Sequence, residues 1–78
     1  MIDRFYLQPN ERYEFQTDGQ YVVVISVGYG LNIYKDTLLL ATLDWLETYS
    51  CPANSGSYII EYAGNTGTDV LLVRYLLL

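Results

Sequence analysis

Seventy-eight residues, 51% of them hydrophobic, with four basic against nine acidic side chains and a formal net charge of −5, describe one small acidic domain spanning 1–78. Phosphate binding works by displacing counterions with basic groups, so this balance argues against nucleic acid, and equally against an anionic membrane surface. The chain has no histidine and a single cysteine, Cys51, which removes the Ser-His and Cys-His catalytic pairs and any intrachain disulfide.

Residues 1–10 mix apolar and polar side chains and close on the turn signal Pro9-Asn10. Residues 12–17 alternate, with Tyr13 and Phe15 on one face and Arg12, Glu14 and Gln16 on the other, the pattern of a half-buried strand. Asp18-Gly19 follows as a short hairpin signal, because glycine accepts the positive φ that tight turns need. Residues 20–27 place Tyr21, Val23, Ile25 and Val27 on one face and Val22, Val24 and Ser26 on the other. Both faces are largely apolar, which predicts a central strand. Gly28-Tyr29-Gly30 breaks the ladder, and Leu31-Asn32-Ile33-Tyr34 resumes it.

Residues 37–49 support two readings. On a helical wheel Leu38, Leu39, Leu43, Trp45, Leu46 and Tyr49 share one arc, Thr37, Asp44, Glu47 and Thr48 share the other, and Asp36 is placed to cap. As strands, Lys35-Asp36 makes a two-residue turn into residues 37–42, and a short strand at 48–50 leads to the turn-rich Pro52-Ala53-Asn54-Ser55-Gly56. The first expectation is therefore all-β, a small antiparallel β-sandwich, jelly-roll-like, of seven to eight short strands. The alternative is α+β with one helix at 37–49.

The last third reads as a hairpin: residues 57–62, a loop with Gly64 and Gly67, and then residues 69–78, apolar on both alternating faces. A domain this small buries only about 60% of its unfolded surface and needs added support. With no disulfide or metal cage to provide it, self-association is expected, through Val70, Leu72, Leu76 and Leu78.

The segments Leu7-Gln8-Pro9-Asn10-Glu11-Arg12-Tyr13-Glu14-Phe15, Asp18-Gly19-Gln20-Tyr21-Val22-Val23-Val24, Leu31-Asn32-Ile33-Tyr34-Lys35-Asp36 and Pro52-Ala53-Asn54-Ser55-Gly56-Ser57-Tyr58 together resemble small jelly-roll modules of phage virion decoration and fibre proteins. The resemblance implies a non-enzymatic, often trimeric, surface-exposed part of a virion. It implies other virion proteins as partners; Met1-Ile2-Asp3-Arg4-Phe5 lacks the pattern of a signal peptide, so synthesis in a host cytoplasm is expected. It carries no fixed site residues.

Chemistry-bearing groups read blandly. Cys51 before Pro52 has no neighbouring cation and is expected to be an inert thiol. The serines 26, 50, 55 and 57 lack a nucleophile-elbow context. The carboxylate pairs Glu11 and Glu14, Asp44 and Glu47, and Glu61 and Asp69 lack a cleft. Gly64-Asn65-Thr66-Gly67-Thr68 lacks the lysine of a phosphate loop, and Asn65 with Asp69 offers at most a weak calcium site. No cofactor or metal is expected. Nine tyrosines exceed what so small a core can bury, and tyrosine and tryptophan favour interfaces and sugar rings. Tyr29, Tyr34 and Trp45 are the candidate ligand-stacking residues, which makes a carbohydrate-binding module the second functional reading. A third is a small acidic phage inhibitor of a host protein.

Overall fold

The computed structural model describes residues 2–19, 21–26, 28–51 and 56–75. Eight strands follow one another: β1 Ile2–Leu7, β2 Arg12–Thr17, β3 Tyr21–Ser26, β4 Leu31–Lys35, β5 Leu38–Leu43, β6 Thr48–Cys51, β7 Gly56–Tyr62 and β8 Thr68–Tyr75. There is no helix among the described residues. The all-β expectation holds and the helix at 37–49 does not form.

Pairing follows one rule. β4 pairs with β5, β3 with β6, β2 with β7 and β1 with β8, all antiparallel. This is one long two-stranded ribbon folded back on itself at three corners. Folding brings β8 beside β3 and β7 beside β4, giving the sheets β1-β8-β3-β6 and β2-β7-β4-β5. Two such sheets packed face to face are a jelly roll.

Two hairpins expected from sequence are therefore corners. Asp18-Gly19 joins β2 to β3, and residues 63–67 join β7 to β8, and in each case the two strands lie in different sheets. Gly19 (φ 70°) and Gly67 (φ 98°) have the positive φ that a hairpin turn would also require, so local chemistry cannot separate the two outcomes. The turn between β4 and β5 is the one adjacent pairing, and it lies one residue later than predicted. Lys35 pairs with Leu38, leaving Asp36-Thr37 as the loop with Asp36 at φ 56°.

The register slips at Leu40, because Ile33 faces Ala41 while Tyr34 faces Leu39. This β-bulge puts an extra residue in β5 and interrupts its alternation. Leu38 and Leu39 are both exposed and Leu43 is buried. Leucines spread this way around a bulged strand imitate a helical stripe.

The core lies between the sheets. Leu7, Val22, Val24, Cys51, Val70 and Leu72 come from one sheet and Phe15, Leu31, Ile33, Leu43, Tyr58, Ile60 and Tyr62 from the other. As expected, Tyr13 and Phe15 turn inward from β2, and β3 runs between two partners. An aromatic column seals the side where edge strands β1 and β2 meet. Phe5 stacks on Tyr13 at 4.2 Å, Tyr13 leans on Phe15 at 6.5 Å, and Phe15 stacks on Tyr58 at 5.4 Å. Arg74 then lies 5.6 Å from the Phe15 ring and Lys35 5.7 Å from the Tyr58 ring, so two cations rest on aromatic faces at one end of the sandwich.

The expected self-association residues require correction. Val70 and Leu72 are 0% exposed, facing the interior of their own subunit. Leu76 and Leu78 lie outside the described residues. In β8 it is Leu71 and Val73 that turn outward.

Candidate functional site

The outer face of β1-β8-β3-β6 is built from residues one position out of step with the core. Across the strands, Ile2, Val73, Val23 and Ser50 form one row, and Arg4, Leu71, Ile25 and Thr48 the next. Tyr6 and Asp69 follow at one end, and Tyr21 lies at the other. Ile2, Tyr6 and Tyr21 are exposed, and Val23, Ile25, Leu71 and Val73 are half-buried with no strand or helix of the described chain above them. Among the described residues the only ionised groups on this face are Arg4 and Asp69, paired at 3.2 Å. Every other acidic side chain belongs to the opposite sheet, a corner or turn, or, for Asp3, the inward side of β1.

The outer face of β2-β7-β4-β5 is polar and cross-linked. Arg12 Nε donates to Glu61 at 2.7 Å, Thr42 Oγ1 to Asn32 at 2.7 Å, Gln16 Nε2 to Ser57 at 3.0 Å, and Ser57 Oγ to Glu14 at 3.2 Å. At its β4–β5 end a depression of about 220 Å³ is lined by Arg12, Tyr34, Asp36, Thr37 and Ile59.

The three expected stacking residues do not converge. Tyr34 lines that depression. Tyr29 (66% exposed) and Trp45 (57%) lie at the opposite end, on the corner where residues 28–30 meet 44–47. That corner is held by Leu46 N–H to Ser26 O at 2.8 Å, Ser26 N–H to Glu47 O at 3.0 Å and Gly30 N–H to Leu43 O at 3.1 Å. Arg12, Asp36, Thr37 and Ile59 were missed from sequence. They come from three separate segments that meet only once β7 is known to lie between β2 and β4.

The remaining groups are structurally engaged. Glu11 Oε1 accepts from Gln8 N–H at 2.7 Å and Glu47 Oε1 from Asp44 N–H at 2.9 Å, each closing a turn. Glu61 and Asp69 belong to different sheets and each faces an arginine, so Asp69, at the start of β8, is already committed and does not join Asn65 around an ion. Among the described residues no group of three or more His, Cys, Asp or Glu side chains is placed to hold a metal ion. Buried Ser26 donates to Gly28 O at 2.8 Å.

Cys51 is 1% exposed, and burial pushes its thiol up from 9.0 to about 11. Burial, then the nearby Cys51 and Tyr49, also raises the Tyr58 phenol. A folded-state pKa above the unfolded one contributes stability that is complete below the unfolded pKa and lost as pH rises through the folded one. The Cys51 shift thus predicts a loss of about 2 kcal/mol between pH 9 and pH 11. Urea titrations at pH 8, 9, 10 and 11 measure it, and Cys51→Ala is expected to flatten the slope. An unchanged slope in that variant would place the thiol in water.

No protein-family model matches the chain, and no curated protein matches its sequence. Among solved structures, a de novo designed double-stranded β-helix superposes with a TM-score of 0.82 at 14% identity, covering 96% of this chain and 99% of the design. A predicted oxalate decarboxylase from Thermotoga maritima superposes with a TM-score of 0.80 at 18% identity, covering 99% of this chain and 66% of that one. At such identities the likeness concerns the fold alone: this chain folds as a double-stranded β-helix, the jelly-roll sandwich already described.

Proposed function

We propose that this protein is a non-enzymatic assembly domain that associates with copies of itself through the outer face of β1-β8-β3-β6. By its resemblance to decoration and fibre modules, it serves as a surface component of a virion or comparable particle, with a trimer as the implied form. The observation that carries the reading is the in-register apolar face of Ile2, Val23, Ile25, Leu71 and Val73, with its single arginine and aspartate neutralising each other.

A second copy fits this face for an electrostatic reason. The chain carries −5 overall, yet the described residues of this face carry no net charge, so like copies approach there without the repulsion they meet elsewhere. Four strands about 4.8 Å apart and six residues rising about 3.3 Å each give roughly 15 by 20 Å. A patch of a few hundred Å² marks an interaction surface but lies at the small end of specific interfaces, so micromolar association is expected.

Sedimentation equilibrium tests this across the micromolar range. The wild type is expected to be oligomeric in the upper part of that range, and Ile25→Lys and Val23→Lys to be folded monomers. Leu39→Lys, on the edge strand of the other sheet, is expected to assemble as wild type. A wild type that stays monomeric throughout, or assembly lost only in Leu39→Lys, would overturn the reading.

A further inference from the structure

We infer that the depression at the β4–β5 end of the polar sheet is a binding site for a single pyranose ring, free or at the end of a glycan. It lies on the opposite side of the sandwich from the self-association face and does not depend on that reading.

Tyr34 and Ile59 are half-buried cross-strand partners and make the apolar floor. Arg12, Asp36 and Thr37 are exposed and make the polar rim. An aromatic ring beside an aliphatic side chain suits the C–H face of a sugar. A guanidinium, a carboxylate and a hydroxyl around it supply the donors and acceptors that vicinal hydroxyls use. The volume, about 220 Å³, falls below the range of about 300–1,000 Å³ for drug-sized ligands, so the depression holds one ring.

Charge selects against an anionic ligand. Arg12 already faces Glu61 at 2.7 Å through Nε, which offsets its charge and leaves its terminal N–H groups directed to hydrogen bonding. A ligand carboxylate would have to compete with Glu61 and would meet Asp36 nearby. A ligand held by its carboxylate is therefore disfavoured against a polyol. Asp36 holds a left-handed conformation (φ 56°) that aspartate tolerates better than most residues, and the two-residue turn fixes its position at the rim.

The test is a titration of the ¹⁵N-labelled full chain with methyl β-D-glucopyranoside, methyl β-D-galactopyranoside and methyl α-D-mannopyranoside, with glycine as the zwitterion control. Millimolar binding is expected for at least one glycoside, the affinity typical of a ligand this small, with amide shifts at Tyr34, Asp36, Thr37 and Ile59. Tyr34→Ala should weaken it at least tenfold and Tyr34→Phe should retain it. Should Tyr34→Ala fail to fold, Asp36→Gly suits the positive φ, removes one rim acceptor and is expected to weaken binding about tenfold. Ile25→Lys should bind as wild type, which separates this site from the assembly face. Shifts confined to Tyr29 and Trp45, tighter binding of glycine than of any glycoside, or no shift with any of the three would each overturn the assignment.

Discussion

Leu72→Ala is expected to destabilise the fold by about 3–5 kcal/mol, and Leu71→Ala, one residue away, by less than about 1 kcal/mol. Leu72 is 0% exposed in the central strand β8, with Val24 of β3 directly beside it and the opposite sheet across the core. Truncation there removes three buried carbons and leaves a cavity whose walls are held by both sheets, so little of it can collapse. Total stability for a chain this size is about 4–12 kcal/mol, so the variant should be partly unfolded or melt some 15–30 °C lower. Leu71 points away from the core and loses only part of a half-exposed side chain. Its truncation should instead weaken self-association. Urea melts at submicromolar concentration separate the two effects, because assembly stabilises only at higher concentration. A larger cost at Leu71 than at Leu72 would mean that the faces of β8 are reversed.

Strands β2, β3, β4, β7 and β8 were legible from sequence, whereas β1 was not read as one, residues 37–49 stayed open between a helix and strands, and of the strand pairings only β4 with β5 was read. Alternation in residues 12–17 marks a strand and its inward face, because Tyr13 and Phe15 contrast with polar neighbours, whereas residues 20–27 are largely apolar on both faces and show a strand without showing that Val22 and Val24 turn inward. β8 offers no such contrast. Asp69 lies on its outward face and Arg74 on its inward face, where the guanidinium covers Phe15 at the mouth of the sandwich. One charge of each parity cancels the signal, which is why Val70 and Leu72 looked available for partners. Topology failed for a different reason. A corner between sheets and a hairpin within one both need a left-handed residue, and Asn10, Gly19, Gly30, Leu46 and Gly67 supply it at corners. The choice between them is made by burial: two adjacent strands that are apolar on their inward faces can pair or can stack. Tyr34 was legible as an aromatic on a strand, but its neighbours in the depression come from β2, β7 and a turn, and no local pattern joins those.

Gly64→Ala is expected to cost about 3 kcal/mol although its φ lies outside the left-handed range, so the penalty arises from sterics alone. A Cβ there would run into the Tyr62 hydroxyl and two ring carbons beside it. The ring cannot yield cheaply. Tyr62 is buried between Leu31, its cross-strand partner, and the corner, and its phenol oxygen accepts the Thr66 N–H at 3.4 Å. Hydrogen bonding from Thr66 is also the main reason its phenol lies below the ordinary tyrosine pKa. Alanine must therefore either push the corner off β7, breaking the Ala63 N–H to Gly30 O bond of 2.9 Å, or expel a buried aromatic ring. The second route alone costs about 3–5 kcal/mol. A double-mutant cycle isolates the cause. In a Tyr62→Leu background, where no ring occupies the space, Gly64→Ala should cost no more than about 0.5 kcal/mol, a coupling of about 2 kcal/mol or more. Equal costs in both backgrounds would show that Gly64 is required by the backbone of the corner and not by the ring it shelters.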